Sequence, residues 1–80
     1  MVHEIKCVQP FFNAVLDGSK LFELRYNDRD YAVGDILRID EYIPNVGYTS
    51  RYIFKRIGFI VSSFNGLENG YVIMSLLPQK

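Results

Sequence analysis

The chain has 80 residues, 49% hydrophobic and 15% aromatic, with nine basic and nine acidic side chains that sum to zero net charge. That length leaves too little chain for a second core, the apolar content excludes disorder, and the neutral balance excludes a strong nonspecific grip on polyanions. A lone cysteine, Cys7, excludes an internal disulfide, and no apolar run approaches the roughly 18 residues of a membrane span.

One domain over residues 1–80 is therefore expected, with no membrane association. Met1–Val8 mixes polar and apolar residues without a signal-peptide pattern. Together with the single thiol, this points to the cytoplasm. Charge is uneven along the chain. Residues 1–41 carry five basic and eight acidic groups, whereas residues 42–80 carry Arg51, Lys55, Arg56 and Lys80 against Glu68 alone.

Val2–Val8 alternates as a first strand, and Pro10 suits the first position of a short helix. Phe11, Phe12, Val15 and Leu16 make one apolar stripe, with Phe12 and Leu16 expected to pack the helix down. Gly18 fits the left-handed residue that stops it. Lys20–Tyr26 reads as a strand with Phe22, Leu24 and Tyr26 on one face and Glu23, Arg25 and Asn27 on the other. Polar turns at Asn27–Asp30 and Val33–Asp35 lead to a strand Ile36–Ile43, in which Leu37, Ile39, Glu41 and Ile43 oppose Arg38, Asp40 and Tyr42. A loop at Pro44–Gly47 precedes a long strand Arg51–Ser62, where Gly58 marks a bulge or bend. Asn65-Gly66 and Asn69-Gly70 bracket a turn before the last strand, Tyr71–Leu77. The order β-α-β-β-β-β predicts an α+β fold, a small β-barrel plugged by one short helix.

Chemistry concentrates in Gly18–Arg25. Glu23 and Arg25 share a strand face about 6.5–7 Å apart, within reach of one ligand. Lys20 has the opposite parity but sits where the turn can re-aim it. Taken alone, the spacing describes a solvated strand face with a surface ion pair worth about 0–1 kcal/mol. Asn27, Arg29 and Arg51 stand as further polar candidates. Tyr26, Tyr31, Tyr42, Tyr48 and Tyr52 offer rings for stacking, with Tyr26 and Tyr52 better suited to core or rim packing. His3 and Cys7 share a face but lie about 13 Å apart by strand rise, too far for one zinc. No metal and no cofactor are expected.

Gly18-x-Lys20-x-x-Glu23-x-Arg25 resembles the GxKxxExR signature of ASCH domains, the activating-signal-cointegrator homology family within the PUA-like superfamily. His3–Lys6, Asn27–Arg29, Val33–Asp35, Glu41-Tyr42, Tyr48-Thr49 with Arg51, and Gly70–Ile73 are similar in order to residues of small bacterial and phage members. The resemblance implies a PUA-like barrel with a cleft between barrel and helix where the signature residues gather. It also implies binding of RNA, a coactivator role, or hydrolysis of acylated cytidines. In the hydrolytic members the signature resembles GxKxxTxR with a further downstream carboxylate, and this chain has Glu23 in place of the threonine.

The reading is an RNA-binding or modified-nucleoside-binding module. Lys20, Glu23 and Arg25 line its cleft, with Asn27, Arg29, Tyr42, Tyr48 and Arg51 around it. Lysine supplies a point charge, arginine a planar fork for phosphate or a base edge, and glutamate an acceptor for an exocyclic amine. If Lys20, Arg25, Arg29 and Arg51 each met one phosphate, binding to a single strand would carry a log–log salt slope of about −2.8. The alternatives are a small amidohydrolase using Lys20 and a protein-interaction module.

Overall fold

Alternation and turn chemistry place the elements close to where the sequence puts them. The computed structural model describes residues 1–79, so Lys80 lies outside the described residues. It contains β1 (Val2–Cys7), α1 (Phe11–Leu16), β2 (Phe22–Tyr26), β3 (Ile36–Ile43), β4 (Gly47–Ser62) and β5 (Tyr71–Pro78). The largest departure is β4, which begins at Gly47 rather than Arg51. Ser50 takes a left-handed φ of 75°, and the β3–β4 register shifts between Asp40 and Tyr42. This bulge lets the strand absorb what the sequence presents as an irregular loop.

The five strands form one sheet in the order β1-β3-β4-β5-β2, with β1 and β3 parallel and every other neighbouring pair antiparallel. The fold is α+β, mostly strand, and the sheet curls into a half-barrel. β1 and β2 remain its two edges. The expected irregularity at Gly58 is present as a second register shift, between Ile57 and Ile60. It bends β4 from its partner β3 toward its partner β5.

The concave face holds the core. Ile5, Leu37, Ile39, Ile57, Val72, Met74 and Leu76 point inward from four strands, and Phe12 and Val15 of α1 close over them. Leu16, expected to pack the helix, is instead about half exposed together with Phe11. A helix this short presents only one residue per turn to the core, and Phe12 and Val15, three apart, are the pair that does so. Its ends are satisfied locally. Pro10 lies one position earlier than expected, at the N-cap, and the Asn13 amide donates to the Gln9 side-chain oxygen. Gly18, with φ +86°, ends the helix as expected, and the Lys20 amide returns to the Ala14 carbonyl at 2.9 Å. Among the described residues no helix is long and apolar enough to cross a membrane.

Candidate functional site

The left-handed turn at Gly18 and the Lys20–Ala14 bond fix where β2 starts relative to α1. From there the alternation of β2 turns Glu23 inward, where only 4% of it is exposed. The surface-ion-pair picture from spacing alone is thereby corrected. Both carboxylate oxygens of Glu23 are engaged: Lys20 Nζ donates to Oε1 at 2.8 Å and Arg25 Nε to Oε2 at 2.7 Å. Lys20 also donates to the Phe22 carbonyl at 2.7 Å, and Arg25 Nη2 donates to the Lys6 carbonyl. A buried carboxylate held by two cations and their outer acceptors is a braced constellation rather than two loose surface chains.

This constellation lies along a groove of about 520 Å³ between α1 and the two sheet edges, β1 and β2. Phe11, Phe22, Leu24 and Tyr26 supply apolar wall, with Tyr71 beside Tyr26. The Lys20 ammonium lies 4.9 Å from the centre of the Phe22 ring. Cys7 also lines the groove, and burial, reinforced by Glu23, pushes its thiol above the ordinary 9.0. It is therefore held as an unreactive thiol. None of the groove-lining residues is serine or threonine.

The sequence candidates divide between the groove and its surroundings. Lys20, Glu23 and Arg25 converge as expected. Asn27 lies just past β2, where its side-chain oxygen accepts the Tyr31 amide at 3.1 Å, so it shapes a turn. Arg29 donates from Nη1 to the Glu4 carbonyl and so lies on the same gap as Arg25, one step along β1. Tyr42 and Tyr48 pair edge-to-face at 5.1 Å on the outer side of β3 and β4. Lys6, on the groove, lies 4.6 Å from the Tyr42 ring centre. Tyr31 is only 7% exposed and offers no open ring face, whereas Tyr26 and Tyr52 are half exposed.

Arg51 belongs to a second cluster, away from the groove lining. It lies 3.4 Å from Glu41 and donates to Asn13. Glu41 is 6% exposed and also accepts from Thr49 Oγ1 at 2.7 Å and from Gln9 Nε2. The Thr49 and Gln9 hydrogen bonds hold its carboxyl below the usual value of 4.5. The sequence signal for this cluster is the charge itself, since Glu41 follows Leu37 and Ile39 on the core-facing parity. A third cluster joins His3 to Asp35 at 2.8 Å, and Asp35 also takes the N-terminal ammonium at 3.3 Å. His3 is packed, as expected, and lies edge-on to Tyr31 at 4.9 Å. Among the described residues no three His, Cys, Asp or Glu side chains converge as metal ligands do.

Residues 2–76 match a family described as a domain of unknown function, DUF3850. The chain belongs to that family. It is also similar to an "uncharacterized 12.9 kDa protein in GpA 3'region" of Escherichia phage P2, at 36% identity over 73 residues. The match covers 91% of this chain and 65% of the phage protein. All four charged residues of the groove, Lys6, Lys20, Glu23 and Arg25, fall inside the family match.

Proposed function

We propose that this family member is an ASCH-type, PUA-like domain that holds a modified nucleoside, alone or within a short RNA segment, in the groove beside α1. The observation that carries the reading is Glu23. It is buried, gripped by Lys20 and Arg25, and set in a groove whose walls, Lys6 apart, are otherwise apolar and aromatic. At about 520 Å³ the groove lies within the roughly 300–1,000 Å³ range of small-molecule sites. Phe22 and Tyr26 suit a base plane, and the unused donors of Lys20 and Arg25 suit a carbonyl or phosphate. Cytoplasmic residence fits this ligand class and the reduced state of Cys7.

Binding is favoured over hydrolysis by the groove's makeup. The hydrolytic signature requires a hydroxyl where Glu23 stands, and no serine or threonine lines the groove to replace it. Lys20 donates two hydrogen bonds and acts as a fixed donor.

The test is titration with single-stranded RNA and with free modified cytidines across a range of salt. Arg29 and Arg51 are committed elsewhere, which leaves the groove cations Lys6, Lys20 and Arg25 to meet phosphate. The expected salt slope is therefore about −2.1 for a single strand rather than −2.8. A free nucleoside should bind with a slope near zero. Failure of RNA and nucleosides alike to bind at low salt would remove the reading.

A further inference from the structure

Outward-facing positions divide the sheet into two unlike halves. On β1, β3 and the first half of β4 they include Glu4, Lys6, Arg38, Asp40 and Arg56. On β2, β5 and the second half of β4, none of the outward positions is charged. Leu24 pairs with Ile73, and Ile73 pairs with Val61, so one apolar row crosses all three strands. Phe22 and Phe59 lie beside that row. Exposures of 67% at Phe59, 51% at Leu24, 49% at Phe22, 46% at Leu77 and 36% at Ile73 show that nothing among the described residues covers it.

The size of the patch narrows what it fits. Aromatic side chains offer about 150–250 Å² each, so these half-exposed residues present roughly 400–600 Å² of apolar surface. That lies in the upper part of the roughly 300–600 Å² that the largest patch of a typical monomer presents, a patch that is often functional. It is also about a tenth of the 5375 Å² total surface, the share that a standard interface takes from a small protein.

We infer that this face docks a second copy of the chain, sheet against sheet, in a two-fold dimer. The charges at its margin, Arg56 opposite Leu77 and Lys20 against Phe22, are turned to the Gly34 carbonyl and to Glu23, so the patch itself neither selects a partner of opposite sign nor repels its own copy. Isologous pairing asks only that one patch complement itself. Two such sheets can stack about 10 Å apart with their side chains interdigitated. A lipid surface is a poorer match, because no lysine or arginine stands among these positions to meet headgroups. At this area the dimer is weak, with a dissociation constant in the micromolar range. The patch shares Phe22 and Leu24 with the groove wall, whereas Phe59, Ile73 and Val61 lie outside the groove lining, so variants there test association apart from groove binding.

Sedimentation velocity of the full chain, from low-micromolar to near-millimolar concentration, tests it. The wild type should pass from monomer to dimer, and Phe59→Lys and Ile73→Lys should each weaken association by more than about tenfold. Val46→Lys, in the β3–β4 turn and 79% exposed, should leave it unchanged. Phe59 is exposed enough that its variant keeps the fold, which far-UV circular dichroism checks. A monomer at every concentration overturns the inference. So does a dimer that survives both variants, or a monomeric wild type that instead binds vesicles of zwitterionic lipid.

Discussion

Arg25 reaches from β2 to the main-chain carbonyl of Lys6 in β1, so a side chain spans the gap that the backbone of the half-barrel leaves open. Arg29 repeats the contact at Glu4, two residues along. Strand alternation explains the pairing, because carbonyls of residues two apart point to the same side of a strand. The two arginines thus occupy acceptors of an edge that would otherwise be open to another chain.

A lysine in place of Arg25 keeps the charge but loses the fork that holds Glu23 and Lys6 together. Arg25→Lys should therefore destabilise the fold by about 1–2 kcal/mol, read from the urea midpoint. Hydrogen exchange should also quicken at Glu4–Lys6 more than in β5. Uniform quickening across the sheet would show that the lacing has no local effect.

Gly70 precedes β5 with φ +87°, and a Cβ built there would stand 2.6 Å from Cε1 of Tyr26. Gly70→Ala thus meets both backbone strain and a ring that lies on the groove wall. The expected loss is about 1–2 kcal/mol from the left-handed backbone, with more if Tyr26 cannot turn aside. Gly66, with φ +89° and open space around its Cβ position, isolates the backbone part. Gly70→Ala should therefore cost more than Gly66→Ala and should alter groove binding, which Gly66→Ala should not. Equal losses would show that Tyr26 yields freely.

The same region shows how far the sequence carries a reading. Spacing from Gly18 to Arg25 was sufficient to gather Lys20, Glu23 and Arg25, because a left-handed glycine followed by an alternating strand leaves little choice of direction. Burial was harder to read. Phe22, Leu24 and Tyr26 have the composition of a core face, yet each is about half exposed while Glu23 is buried. Alternation fixes which residues share a face, but not which face turns inward when the inner side of an edge strand carries a buried ion-pair cluster. Arg51 could not be separated from the groove cations by local pattern. Its partner Glu41 lies ten residues away, and Gln9, which completes the cluster, comes from the far end of the chain. The closure of the sheet is of the same kind, since it rests on arginine contacts to β1 from 19 and 25 residues away.

Acid should weaken the fold through two carboxylates. Glu41 is held below its ordinary 4.5 first by the Thr49 hydrogen bond and then by Gln9, and Asp35 below 3.8 first by its bond from His3. A carboxyl whose folded pKa is depressed contributes stability above its unfolded value and loses it as pH falls through the folded one. Urea midpoints should hold at neutral pH and drop progressively below about pH 4.5. Thr49→Val removes the largest cause at Glu41. It should lower stability at neutral pH and flatten the acid-side decline, whereas a decline identical to wild type would exclude Glu41 as its source.

The Glu23–Arg25 pair is where stability and binding are tied most closely. Each Glu23 oxygen accepts from one cation, and the carboxylate is buried, so its loss strands both donors in a poorly solvated place. Glu23→Gln keeps the shape but presents an amide N–H₂ to a cation that itself donates. The expected cost is about 1–3 kcal/mol, well above the range of a surface pair. A double-mutant cycle with Arg25→Gln should then show coupling of about 1–2 kcal/mol in unfolding free energy, because the second change removes a donor already left without its acceptor. Scored for affinity toward a cytidine-containing RNA, the cycle should also be non-additive, since the two side chains set each other's orientation at the groove. Coupling in stability without coupling in affinity would make the pair a brace for the β1–β2 gap and move the ligand to the aromatic wall. Additive losses in unfolding would mean that the buried pair does not form in solution at all.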